Sequence, residues 1–143
     1  MQTRRWFCCF ALALLLAACA TAPRRDDAPY RALGERAGIA RTVDAILLRV
    51  LADPRIGELF TATDPAQLAP LLTDQICAAA GGPCLYAGRS MEESHAGLNI
   101  SEAQFAAFVE DTIAGMEAER VPPAAQAALL ATLGGMKAQI VGR

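Results

Sequence analysis

From Tyr30 to the end of the chain, every periodic stretch repeats at helical spacing, and none alternates as a strand would. Ile39, Val43, Ile46, Leu47, Val50 and Leu51 recur on one face of a helix. Asp53-Pro54 reads as an N-cap followed by proline at the first helical position, opening a short turn that ends near Phe60. Asp64-Pro65-Ala66-Gln67 repeats that signal, with glutamine at the third helical position as in a capping box. Its helix carries Leu68, Leu71, Leu72 and Ile76 and stops at Gly81-Gly82. Ser101 with Gln104 opens another helix, bearing Phe105, Phe108, Val109, Thr112 and Met116. Pro122-Pro123 opens the last, with Leu129, Leu133, Met136 and Ile140 as its stripe. The expected fold is all-α, with about four substantial helices and short connectors.

The stretch between Gly82 and Ser101 breaks this pattern. It has a polar turn at Tyr86-Ala87-Gly88-Arg89 and room for one or two helical turns at Ser90–Ala96. An isolated turn is poor structure unless something pins it, because nucleation is costly. It also holds His95, the single histidine of the chain, four residues after Met91 and therefore on the same side. Taken alone, one histidine in a helical protein is more often at the surface or satisfied in the core than bound to a metal. A four-ligand zinc site is excluded by the scattered partners, and no C-x-x-C-H run offers covalent haem attachment. A non-covalent haem needs one imidazole and an apolar slot. Leu68, Leu72 and Ile76 on one helix, with Phe105 and Val109 on another, are candidate walls.

The N-terminus belongs to targeting rather than to the fold. Arg4 and Arg5 precede an apolar run from Trp6 to Ala18, shorter than the roughly 20 residues needed to span a bilayer. Leu16-Ala17-Ala18-Cys19 resembles the lipobox of bacterial lipoproteins, which makes Cys19 the lipidated first mature residue; the alternative is ordinary cleavage, for instance after Ala20. Thr3-Arg4-Arg5-Trp6-Phe7 also looks like a twin-arginine signal. The expected organisation is a signal at 1–18, an anchor and tether at 19–29, and one domain at 30–143. Cleavage before Cys19 takes 18 of the 143 residues and moves the formal charge from −2 to −4, since Arg4 and Arg5 leave. With Lys137 the lone lysine, no basic stripe suits nucleic acid. Cys77 and Cys84 remain in an exported chain, which suggests a disulfide closing a loop worth about 2–3 kcal/mol, with two independent thiols as the alternative.

Over Tyr30 to about Val141 the chain resembles the group I truncated haemoglobins. The resemblance rests on Tyr30-Arg31-Ala32-Leu33-Gly34, Arg49-Val50-Leu51-Ala52-Asp53-Pro54, Leu59-Phe60, Gly81-Gly82-Pro83, Tyr86, Gly88, Met91 and His95-Ala96-Gly97-Leu98-Asn99-Ile100, followed by the helix with Phe105. It implies a truncated globin-like two-over-two helical sandwich holding one haem b. His95 is then the proximal iron ligand and Phe60 packs on the haem. Met91 and Phe105 line the pocket, and Tyr86 and Arg89 lie near the propionates.

The resemblance departs on the distal side. Where oxygen-binding members usually carry tyrosine this chain has Leu47, and where glutamine is common it has Leu72. Gly34-Glu35 replaces a common double glycine. The expected distal pocket is dry, with Gln75 the one nearby amide, and the iron five-coordinate. Three functions compete. The favoured one is reversible binding of oxygen, carbon monoxide or nitric oxide by a protein held on a membrane through its lipid, facing the periplasm and served by an unknown reductant. The second is a nitric oxide dioxygenase or peroxidase. The third is a cofactor-free helical lipoprotein acting as an interaction module.

Overall fold

The computed structural model describes residues 26–143; the signal, Cys19 and most of the tether lie outside them. Six α-helices follow one another: α1 (Ala28–Ala32), α2 (Glu35–Val50), α3 (Pro65–Ala79), α4 (Met91–His95), α5 (Glu102–Ala118) and α6 (Pro123–Met136). Two 3-10 turns, Gly57–Phe60 and Lys137–Gln139, complete the set. α2 is the hub, packing on α3 and α5, while α6 closes against α1 and α5. Among the described residues there is no strand, only a single parallel bridge between Ile100 and Val141. The main core gathers Leu33, Ile39, Val43, Leu47, Cys77, Met116, Val121, Ala125 and Leu129; a smaller one joins Ile46, Val50, Ile56 and Ala107.

Helix starts follow the side chains written for them. Asp64 accepts from the Ala66 N–H at 2.9 Å, and Ser101 and Gln104 form a reciprocal capping box. Gln67 differs from expectation: its amide donates to the Asp64 carboxylate at 3.1 Å instead of accepting from the backbone. Asp53 caps only a turn, accepting from the Arg55 N–H at 2.8 Å, and the 3-10 turn begins later, at Gly57. Leu51 ends α2 rather than joining its buried face and is 40% exposed. Ile140 falls beyond α6, after the second 3-10 turn. α1 starts at Ala28, inside the stretch read as tether, with Pro29 in its first turn.

Cys77 and Cys84 are joined by a disulfide. Cys77 is fully buried in the main core, and Cys84 packs half-buried against it. Gly82 sits between them by necessity, since a Cβ there would meet the Tyr30 ring at 2.5 Å and the Cys77 sulfur at 2.7 Å.

α5 ends in a paired backbone motif: Val121 N–H donates to Met116 C=O at 2.9 Å and Arg120 N–H to Glu117 C=O at 3.0 Å. That geometry puts Arg120 at φ 55, a left-handed position that glycine occupies without strain. Its side chain makes no hydrogen bond or ion pair among the described residues. Arg120→Gly is therefore expected to stabilise by about 0.5–1 kcal/mol after the entropy of the freer unfolded chain is subtracted. Thermal unfolding should shift up by roughly 2–6 °C; a lower midpoint would contradict this.

Candidate cofactor site

α4 is one helical turn with its own fastening. Ser90 Oγ accepts from the Glu93 N–H at 3.2 Å while the Glu93 carboxylate accepts from the Ser90 N–H at 2.9 Å. The Ser90 N–H and then the Ser90 hydroxyl, both donating to the Glu93 carboxylate, hold that carboxyl below its ordinary pKa. This capping box is the pin that a lone turn requires, and the sequence reading missed it although Ser90 and Glu93 stand at the right spacing. At the other end His95 is half-buried, its Nδ1 lying 2.7 Å from the Met91 carbonyl oxygen. A carbonyl only accepts, so Nδ1 carries the proton and Nε2 carries the free lone pair. Metal-bound histidines are oriented in just this way, with the second nitrogen tied to a backbone carbonyl.

A narrow apolar cleft of about 50 Å³, partly open to solvent, lies between four helices. α2 contributes Val43 and Ile46; α3 contributes Leu72, Gln75 and Ile76. Phe108 and Thr112 come from α5, and Leu129, Leu133 and Met136 from α6. Of the expected wall residues, Leu72, Gln75 and Ile76 are therefore here. Phe105 and Val109 are not: α5 turns Phe108 and Thr112 inward, and the other two stand half-buried on its flank. Leu47 also stays out of the cleft. It is 5% exposed in the main core, with Leu68 and Leu72 packed against that cluster, because α2 aims its neighbour Ile46 and Val43 at the opening instead.

Gln75 connects the cleft to α4. Its amide donates to the Met91 sulfur at 3.5 Å and lies 3.8 Å from that of Met136, so three helices converge on one side chain. Phe60 is half-buried at the end of its 3-10 turn, against the smaller core. Met91, Phe105 and Val109 belong to neither core cluster and are half-buried. Tyr86 donates its hydroxyl to the Arg89 carbonyl at 2.8 Å, closing the turn into α4. A Cβ at Gly88 would fall 2.4 Å from that hydroxyl, so any larger residue there would push the Tyr86 ring aside. Arg89 is exposed.

Beside the cleft, Arg55 bridges Asp53 and Glu110, both at 2.6 Å. Those contacts pull the Asp53 carboxyl below its usual pKa. Its neighbour Asp111 is pushed up, first by burial and then by the Asp53 charge. These groups brace the turn after α2 against α5 and do not reach the imidazole. Among the described residues no group of three or more histidine, cysteine, aspartate or glutamate side chains could hold a metal ion. The donor set is one imidazole with a free Nε2. His95 does not itself line the cleft, but Met91 of its turn meets the cleft wall through Gln75, and that fits a planar iron macrocycle held from one side.

An all-α fold with a single oriented imidazole on a short turn, joined to an apolar cleft through the Gln75–Met91 contact, is compatible with a haem protein. The model of the Bacterial-like globin family matches residues 28–141. The group 1 truncated hemoglobin of Tetrahymena thermophila is 30% identical over 94 residues, covering 66% of this chain and 78% of that one. That of Nostoc sp. (strain MUN 8820) is 28% identical over 114 residues, covering 80% and 97%. The Fe(III) crystal structure of truncated hemoglobin from Tetrahymena pyriformis superposes with a TM-score of 0.77 at 27% identity, over 80% of this chain and 98% of that chain. The chain belongs to the bacterial-like globin family, with the all-α globin fold, and that membership implies a haem-binding globin.

Proposed function

We propose that the mature protein is a lipid-anchored truncated globin with one haem b, which binds oxygen or another diatomic gas reversibly at a five-coordinate iron. The observation that carries this reading is the His95 imidazole, with Nδ1–H committed to the Met91 carbonyl and Nε2 free. A ferrous haem supplies one open coordination position for a diatomic gas once the fifth is taken by an imidazole. The residues of the chain do the rest. His95 holds the iron from one side, and no second histidine exists to block the other. Leu72 and Ile76 keep water from the distal side, and the Gln75 amide is occupied by thioethers rather than aimed at a ligand. With no donor to stabilise charge developing on oxygen, efficient oxygen chemistry is disfavoured against simple binding.

Cys19 is the proposed lipid attachment, placing the domain on a membrane facing the periplasm with residues 20–27 as tether. The testing experiment is the absorption spectrum of the purified domain, ferric and ferrous, with and without carbon monoxide. A five-coordinate high-spin ferrous form that shifts on adding carbon monoxide is expected. A six-coordinate low-spin form without added ligand would overturn the coordination, and a missing Soret band with haem in excess would leave only a cofactor-free module.

A further inference from the structure

The chain that leaves His95 has little support of its own. Ala96 through Asn99 are exposed, Gly97 has φ 81 with nothing within 4 Å of a built Cβ, and Asn99 has φ 48. The one backbone bond returning to the turn is Leu98 N–H to His95 C=O, at 3.2 Å. Burial resumes at Ile100, and there the C-terminal residues meet it. Asn99 N–H donates to the Arg143 carbonyl at 2.7 Å, Gly142 N–H donates to the Ile100 carbonyl at 2.9 Å, and Ile100 bridges Val141. Lys137 pairs with Glu102 at the start of α5 and lies 5.8 Å from the Phe105 ring centroid.

We propose that residues Lys137–Arg143 form a proximal strap, a positioning element that sets the distance and tilt of the His95 imidazole toward the iron and so tunes its ligand affinity. The inference rests on the haem reading above. A five-residue helix cannot hold its own register, so its placement is decided by what grips either end. The capping box grips the start; the strap grips the chain five residues after His95. Besides the packing of the 3-10 turn Lys137–Gln139 on α4, which the strap itself supplies, two contacts tie the end of the strap to the neighbourhood of His95. Arg143 reaches Glu92 of α4 at 3.8 Å, but both side chains are about half exposed or more, and such pairs contribute little. The backbone pairing at Asn99 and Ile100 is short and directional, and it carries the coupling. Gly134 and Gly135 have open space around them, so the strap hangs from a pliable end of α6 and is itself held by this pairing.

The test is Gly142→Pro, which deletes the N–H given to Ile100 and cannot adopt the φ of 71 found there. Glu92→Gln removes the ion pair and leaves in place both the backbone pairing and the two bonds that the Arg143 guanidinium donates to the Ala138 carbonyl within the strap. Expected for Gly142→Pro are unchanged far-ultraviolet dichroism, about tenfold faster amide exchange at Ala96–Ile100 in the haem-free protein, a shifted iron–histidine stretching band in the ferrous haem-loaded protein, and faster haem transfer to a scavenger globin. Glu92→Gln is expected to leave the band in place. If Gly142→Pro fails to fold, Gly142→Ala strains the same residue less and should move the band in the same direction. A haem-loaded protein whose band ignores these changes overturns the strap alone. A parent protein that takes up no haem overturns both readings.

Discussion

Replacing His95 by alanine is expected to abolish stoichiometric haem retention. Removing a partner that merely orients a metal-bound histidine costs about 10–100-fold in metal affinity, and removing the ligand itself must exceed that. No other histidine stands in reserve. The side chain is half-buried at the end of α4, and its one hydrogen bond is to a backbone carbonyl of the same turn, so little else unravels. The measurement is a haem titration followed at the Soret band, with far-ultraviolet dichroism to show that the helices persist. Free imidazole added to His95→Gly should restore part of the absorption. Undiminished pigment in His95→Ala would remove the basis of the gas-binding account.

Leu47 stands outside the cleft but shares its cluster with Leu72 of the cleft wall. Leu47→Tyr, with a hydroxyl that reaches past that wall, is expected to slow oxygen dissociation by roughly tenfold to a hundredfold. Bound oxygen carries partial negative charge, and a hydrogen bond to a charged acceptor contributes about 1.5–3 kcal/mol, with 1.4 kcal/mol equal to a factor of ten. Carbon monoxide depends less on a donor, so its dissociation should change less. Leu47 shares a cluster with Leu68 and Leu72 and is nearly sealed, so the larger ring costs about 1–3 kcal/mol in overpacking. Unfolding must therefore be measured beside stopped-flow kinetics. An unchanged oxygen rate in a folded, haem-loaded variant would show that position 47 faces the core alone.

Helices were legible because burial on one side writes a 3.6-residue period, and Ser101-Gln104 and Asp64-Pro65 mark their starts without help from the rest of the fold. The unusual α4 was legible as a gap between two good helices, and its histidine by being single. Phase was harder to read. Phe105, Phe108, Val109 and Thr112 all satisfy the same period, and only the placement of α5 against α2 decides that Phe108 and Thr112 face the cleft. Arg120 at φ 55 was invisible because arginine does not signal a left-handed backbone, whereas Glu35 at φ 58 stands where the resemblance leads one to expect the second of two glycines. The convergence of Gln75 on Met91 and Met136, and the pairing of Ile100 with Val141, join residues far apart in the chain. No local pattern encodes such contacts.

The bridge between Cys77 and Cys84 bears on the protein before it has taken up anything. Residues 80–90 would otherwise wander between one wall of the cleft and the turn that carries the imidazole. Fastening position 84 to the interior leaves only residues 85–90 free, and the Tyr86–Arg89 contact restrains those further. An empty protein so restrained has fewer shapes to surrender when its guest arrives, so less of the binding energy goes into ordering the host. Oxidation ahead of loading would thus give a receptor already close to its final form.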